Sequence, residues 1–356
     1  MPQSKKNSIK ILKQNVGVDM SKADFKVSFW QLKADQKTRI RGTRTFANNL
    51  SGFKAFIQWI SKKACTETAV QVTIEATGVY HEQLTHFLHD HDYRVNIVLP
   101  NMSKSYAKSL GLKTKTDKVD AGMLGQLGIE RDLRQWQASS ANMRFLKQLT
   151  RDRVQLLKEK TAVTNRLHAL QSSYQPSKMV IKRMKQRIKL LDKQLKEVET
   201  QIEQTIEQDE KLAPIVERIC KIKGLGLITV AIILAETNGF ELFTSRQQLV
   251  SYAGYDVVER QSGSSIKGKT RISKKGNAYI RRALYFPALS IIKYEPQFKQ
   301  LFERIVKKNS LKMVAYVAVQ RKILLLIYAL FKSEQPYDPN YQNHQRPEEK
   351  LAMTAN

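Results

Sequence analysis

The sequence predicts an α/β N-terminal domain, a helical coiled-coil middle and a mostly α-helical C-terminal domain. Three observations predict this. Up to about residue 100, apolar residues alternate first with a period of two and then with one near 3.6, the marks of strands and amphipathic helices. Over 142–212 they recur at heptad spacing between Lys, Arg, Glu and Gln. Over 213–332 they gather into apolar runs of helix length.

Within 9–135, "IKILKQNVGVDM", "DFKVSFWQL" and "KTRIRGTRTFA" read as three strands, each with apolar or β-branched alternation. "NLSGFKAFIQWISKKA" is a helix, with Phe53, Phe56, Ile57 and Ile60 on one face and Asn49 or Ser51 available as its cap. "AVQVTIEA" is a strand, "HEQLTHFLHDH" a helix and "YRVNIVLP" a strand. Hairpin-like strands followed by alternating helices and strands predict a mixed sheet covered by helices. Ser103 to about Glu130 is then helical, broken near Gly111. In the middle, Ile181, Met184, Ile188, Leu191, Leu195, Val198 and Ile202 step by three and four, a coiled-coil seam. Upstream, Leu149, Leu156, Val163 and Leu170 recur every seven residues, with Arg153 and Lys160 interrupting the other row. "SSYQPSK" separates the two helices. The seam predicts a dimerising or domain-bridging coiled coil; an amphipathic hairpin packed on its own domain is the alternative. The polar, proline-bearing tail 333–356 is expected to be disordered.

Sixty-one Lys and Arg against 32 Asp and Glu give a net charge of +29. Such a surplus calls for an anionic partner, and a nucleic-acid duplex offers one negative charge per roughly 1.7 Å. The longest apolar run, "ILLLIYALF", falls short of the roughly 20 residues of a membrane span, and the N-terminus lacks the apolar core of a signal peptide. Two cysteines, Cys65 and Cys220, speak against a disulfide framework or a Cys-rich zinc site. The expectation is a cytoplasmic, nucleoid-associated protein with no membrane partner.

Two constellations carry chemistry. The first consists of carboxylates. Asp19 closes the first strand and Glu75 the fourth, while Asp117 and Asp120 share one face of a later helix. Adjacent strands would bring Asp19 and Glu75 together, with the helix closing over them. Four clustered carboxylates raise one another's pKa unless cations intervene. Magnesium prefers such oxygen ligands, and two ions about 4 Å apart would flank an in-line attack at phosphorus. Alternatively, Asp117 and Asp120 pair with Lys113, Lys118 or Arg131 on a solvated helix. His81, His86, His89 and His91 invite zinc, but without cysteines a solvated helix face explains them better.

The second constellation is a serine-bearing basic loop. "IKGLGLITVAIILAET" opens with Gly224 and Gly226, like a helix-hairpin-helix turn whose amides approach a DNA phosphate; a plain interhelical turn is the alternative. From Arg260 to Arg282 there is no acidic residue, and Lys267, Lys269, Arg271, Lys274, Lys275, Arg281 and Arg282 are candidate phosphate contacts. Lys113, Lys115 and Lys118 would serve likewise beside the carboxylates. Ser262, Ser264 and Ser265 flank Gly263. Without a nearby histidine in sequence, a serine here lacks the base it needs for activation, so it would depend on the carboxylate-held metal. Composition alone equally describes a flexible phosphate-binding loop.

"VGVDMSK", "IEATGVYHEQL", "SKSYAKSLGLKTKTDKVDA" and "TRISKKGNAYIRRALY" resemble the RuvC-like DEDD transposases of the Piv-type insertion-sequence family, over about 320 residues. The resemblance implies a ribonuclease-H-like fold with Asp19, Glu75, Asp117 and Asp120 as its DEDD set, and Ser262 as a nucleophile that attacks DNA. It further implies magnesium, double-stranded donor and target DNA, a guiding bridge RNA, and a homo-oligomer, dimer or tetramer. "GYDVVE" and "SGSS" depart from the family's pattern around the serine, which leaves Ser264 and Ser265 as substitutes. A RuvC-like junction resolvase or metal-only nuclease, with water attacking, is the alternative enzyme. A non-catalytic nucleic-acid-binding protein is the alternative outside enzymes.

Overall fold

The computed structural model describes residues 10–76, 78–111, 116–241, 243–258, 261–262, 266–267, 271–333 and 335–338. The chain divides into two compact units, Met1–Ala138 and Ser139–Asn356. Most of the tail expected to be disordered lies outside the described residues.

The first unit comprises β1 (Ile11–Met20), β2 (Asp24–Lys33), β3 (Thr38–Ala47), α1 (Leu50–Ser61), β4 (Val70–Glu75), α2 (Glu82–His89), β5 (Arg94–Val98), α3 (Pro100–Ser109) and α4 (Asp117–Glu130). The five strands form one sheet in the order β3-β2-β1-β4-β5. β2 runs antiparallel to its neighbours, whereas β4 and β5 run parallel to β1. This mixed sheet with helices fits the ribonuclease-H-like expectation. Asn49 caps α1 by accepting from Gly52 N at 2.9 Å. The apolar face of that helix brings Phe53, Phe56 and Trp59 against Phe25 and Phe46 of the sheet.

The other face of the sheet carries α4, and glycines set how closely it lies. A Cβ on Gly17 would sit 2.0 Å from Gly125 N and 2.2 Å from Ala121 O. A Cβ on Gly125 would meet Trp30 at 2.2 Å, and one on Gly128 would meet Asn15 at 2.1 Å. The sheet core there is polar: Asn15 Nδ2 donates to Gly125 O at 2.9 Å, and Thr73 Oγ1 donates to Asn15 Oδ1 at 2.9 Å. These buried groups are satisfied, as burial requires.

The second unit begins with α5 (Ala141–Gln171) and α6 (Lys178–Glu207). The two pair as an antiparallel hairpin, so each heptad row finds its partner within the chain. Arg153 and Lys160, which interrupt the apolar row, reach across it to Glu199 at 2.7 Å and Asp192 at 2.5 Å. The base of the hairpin, including Leu146, Leu149, Val198 and Ile202, belongs to one core with the helices that follow. At its base, therefore, the hairpin packs on the helices of its own unit.

Those helices are α7 (Leu212–Cys220), α8 (Leu227–Thr237), α9 (Arg246–Ala253), α10 (Ala278–Ala283), α11 (Tyr285–Tyr294), α12 (Pro296–Asn309) and α13 (Lys312–Lys332). Between α9 and α10 lie four two-residue strands: β6 (Val257–Val258), β7 (Gln261–Ser262), β8 (Ile266–Lys267) and β9 (Arg271–Ile272). α13 is long and apolar enough to cross a membrane by length and composition, a test that the buried core helix of a globular unit also passes. Its Ala315, Val319, Ile323, Leu324 and Ile327 are fully buried in the core of this unit.

Candidate active site

β1 and β4 are parallel neighbours in which Val18 pairs with Ile74. Asp19 and Glu75, one residue further on, therefore end adjacent strands at the same edge of the sheet. Both are half-buried, as is Asp120, while Asp117 is exposed. Thr116 caps α4 by accepting from Val119 N at 3.4 Å, so Asp117 and Asp120 fall in its first turn. There the positive end of the helix dipole favours carboxylates. The glycine contacts fix α4 across β1, which carries that first turn towards the edge where β1 ends.

Asp117 is paired with Lys26 of β2 at 2.5 Å. Lys26 stands directly across from Asp19 in the β1–β2 ladder. The hydrogen bond from Lys26 holds the Asp117 carboxyl below the usual carboxylate range. In return Asp117, with Asp24 and Asp19 adding their fields, raises Lys26 above its ordinary value. Among the described residues, no group of three or more His, Cys, Asp and Glu is gathered closely enough to hold a metal ion. The donor set nevertheless suits a hard cation: all four groups are carboxyls, and Asp117 has already drawn in an ammonium. A metal ion held by Asp117 would have to compete with Lys26 for it. Sequence reading missed Lys26, although counting back from the turn at Ser21–Ala23 would have set it opposite Asp19.

Lys113 and Lys115 lie outside the described residues, as does the side chain of Lys118 on α4. Three of the four histidines lie against aromatic rings, with His89 and His91 exposed. His86 and His89 meet the Trp136 ring edge-on, with centroids 4.9 and 5.5 Å away. His91 lies against Phe87.

In the second unit, Ser262 pairs with Ile266 and Gln261 with Lys267, next to residues 263–265. Ser264, Ser265 and Lys269, and the side chains of Ser262 and Lys267, lie outside the described residues. Arg271, Lys274, Lys275 and Arg282 are exposed. Arg281 instead donates to Ala253 O at 2.7 Å, bracing the base of the loop. Gly224, at φ +100°, packs against the backbone of α11, where a Cβ would lie 2.9 Å from Ile291 N. Gly226, by contrast, leaves open space at the start of α8.

Sequence reading also missed the network that anchors this loop. Glu236 of α8 is 1 % exposed and takes a two-pronged bond from Arg151 of α5, at 2.7 and 3.0 Å. Asn277 Nδ2 donates to the same carboxylate at 2.7 Å, and Asn277 Oδ1 caps α10. Tyr252 donates to Glu236 O at 3.0 Å, and burial pushes its hydroxyl pKa up. Gly254 and Gly276 allow the two ends of the loop to meet: a Cβ on Gly276 would lie 2.4 Å from Tyr252 O. The lone acid in the apolar run "LITVAIILAET" was the available signal, because a buried carboxylate needs a cationic partner.

A family profile described as "Transposase" matches residues 16–176, and one described as "Transposase IS116/IS110/IS902 family" matches residues 216–303. The pilin gene-inverting protein of Moraxella bovis is 32 % identical over 332 residues, covering 92 % of this chain and 98 % of its own. That of Moraxella lacunata matches to the same extent. The transposase for insertion sequence element IS1111A of Coxiella burnetii is 23 % identical, covering 68 % of this chain and 72 % of its own. Among solved structures, T. thermophilus RuvC in complex with a Holliday junction substrate overlaps 35 % of this chain and 100 % of its own, at 9 % identity and a TM-score of only 0.26. With both of its units matched by transposase profiles and nearly the whole of a DNA-inverting relative aligned, the chain belongs to the IS116/IS110/IS902 family of transposases and DNA-inverting recombinases.

Proposed function

We propose that this protein is an insertion-sequence recombinase that cuts and exchanges DNA strands through a seryl-DNA intermediate formed by Ser262. The observation that carries the reading is the pairing of Asp19 and Glu75 at the ends of adjacent parallel strands, in a chain whose second unit carries a serine within an acid-free basic loop. In the first step the Ser262 hydroxyl gives up its proton as its oxygen bonds to phosphorus, one bridging P–O bond breaks, and the departing deoxyribose oxygen takes up a proton in balance. In the second, a deoxyribose hydroxyl of the exchanged strand attacks the phosphoserine bond, reseals the backbone and returns the serine. No bond energy is lost between them, because a phosphodiester is exchanged for a phosphodiester.

Asp19, Glu75, Asp117 and Asp120 would hold magnesium, whose charge stabilises the phosphorane oxygens when it is bound. The exposed Arg271, Lys274, Lys275 and Arg282 neutralise flanking phosphates, with Lys267 and Lys269 of the same loop. The Arg151–Glu236–Asn277 network keeps the feet of that loop together. Family resemblance supplies the remaining parts of the reading: a bridge RNA that selects donor and target, and a homo-oligomeric assembly acting on DNA in the cytoplasm.

The test is Ser262→Ala on a substrate the wild-type protein recombines. The variant is expected to bind DNA but to leave no protein–DNA adduct that survives denaturation. Unchanged cutting by the variant would instead make water the attacking group, as in a metal-only nuclease. Asp19→Ala and Glu75→Ala are expected to lose both adduct and recombination; retained recombination in both would remove the carboxylates from the chemistry. Sequencing of RNA copurified with the wild-type protein tests guidance: a defined small RNA required for exchange is the expected result.

A further inference from the structure

The outer half of the α5–α6 hairpin carries a surface that neither constellation uses. Along α6, Lys178, Lys182, Lys185, Lys189, Lys193 and Lys196 recur in steps of four, three, four, four and three. At about 100° per residue, these steps return every lysine to within about 40° of one line along the helix. The apolar row of Leu191, Leu195, Val198 and Ile202 faces about 150° away, towards α5. All six lysines are exposed. Lys178, Lys182, Lys185 and Lys189 line one shallow groove with Ile181 and Gln186.

This is not a mixed, self-neutralised helix face. From Lys178 to Leu191 there are six basic residues and no acidic one, whereas Asp192 to Glu207 carries five acidic and two basic residues. Lys193 has Glu197 beside it at 3.7 Å. Among the described residues, no ion pair involves Lys178, Lys182, Lys185 or Lys189. Like charges one turn apart destabilise a helix, so this row weakens α6 until an anion neutralises it.

The shape of the row selects the anion. Four lysines spread over about 16 Å of a straight helix suit a repeating line of phosphates better than one compact anion. α6 has no aromatic residue, so it offers no platform for the stacked bases that single-strand binding uses. Lysine also lacks the planar fork with which arginine reads a base edge. We propose that the outer half of α6 is a sequence-independent clamp on the backbone of duplex DNA. The proposal stands on phosphate chemistry and does not require Ser262 to be the nucleophile.

The full-length chain and a variant with Lys178→Gln, Lys182→Gln, Lys185→Gln and Lys189→Gln would be titrated with a random-sequence DNA duplex across a range of salt concentrations. A control with Lys37→Gln, Lys54→Gln, Lys62→Gln and Lys299→Gln removes the same charge elsewhere. Each phosphate contact adds about 0.9 to the slope of log affinity against log salt. The variant is expected to lose a slope of about 3 to 4 and at least tenfold in affinity at low salt, with helicity and sedimentation mass unchanged. An equal loss in the control would reduce the effect to net charge and overturn the proposal. So would a fall in sedimentation mass, which would make the stripe a contact between copies. A loss confined to duplex RNA of the same length would overturn it as well, by assigning the stripe to RNA.

Discussion

Lys26 and Asp117 form the ion pair on which the proposed cation site turns. An ammonium at 2.5 Å occupies a carboxylate that a divalent ion would need. Lys26→Met is therefore expected to raise the affinity for Mn2+, used as a spectroscopic stand-in for magnesium, as measured by titration calorimetry or electron spin resonance. Unchanged or weaker binding would take Asp117 out of the cation site. The same pair has a pH signature. Because its folded-state pKa is depressed, the Asp117 carboxyl contributes stability above the ordinary carboxylate range and loses it as pH falls through its own lowered value. In Lys26→Met, the Asp117 titration followed by NMR should move back up towards the ordinary value. At Glu236 the stakes are energetic. This carboxylate is buried, and Arg151 and Asn277 converge on it, so removing it leaves a cation without its partner. Glu236→Ala is expected to cost about 3–5 kcal/mol in denaturant unfolding of the second unit, and to speed hydrogen exchange around Gly254 and Gly276. A cost below about 1 kcal/mol would mean that the loop base is held by other contacts.

At the scale of elements, the position of α4 depends on the absence of side chains. Gly17 on β1 and Gly125 on α4 let two backbones approach where a single methyl group would meet main-chain atoms at 2.0 Å. Backbone cannot give way as a flexible side chain can. Gly17→Ala is therefore expected to cost about 3 kcal/mol or more and to shift the first turn of α4, with Asp117 and Asp120, away from Asp19. The measurements are thermal unfolding and loss of the Asp117–Lys26 titration coupling; a variant that keeps both would show that α4 tolerates displacement. The α5–α6 hairpin follows the opposite logic. Its register is set by long side chains that reach across, Arg153 to Glu199 and Lys160 to Asp192. The breaks in the upstream apolar row are thus the points at which the partner helix is specified.

On the scale of the whole molecule, two units with separate cores divide the proposed site residues. The carboxylates belong to the first and the serine loop to the second. Separate cores predict separable unfolding. Gly17→Ala should lower the transition of the first unit and Glu236→Ala that of the second, resolved by calorimetry. A single shifted transition in both variants would show the units to be thermodynamically coupled. The charge of +29 acts over the whole surface, but its distribution matters more than its sum. α6 changes sign partway along its length, and its basic half is the outer one.

Much of the first unit was legible in the residues because its signals are local. Period-two alternation marked the first three strands, and Asn49 or Ser51 marked the start of α1, where Asn49 is the cap. The strand-end positions of Asp19 and Glu75 followed from where each alternation stops. The heptads likewise announced two long helices, and the acid-free run around Ser262 marked the basic loop between α9 and α10. What remained hidden depends on residues far apart in the chain. Lys26 became the partner of Asp117, Gly224 a packing residue against α11, and Arg281 a brace for the loop base. Glu236 became the anchor for three separate helices. A sequence records periodicity and charge along one line, and those determined which elements form and which of their faces are polar. Which charge meets which, and whether a glycine serves a ligand or a neighbouring backbone, was decided only by folding, because both depend on distances between elements that no local pattern encodes.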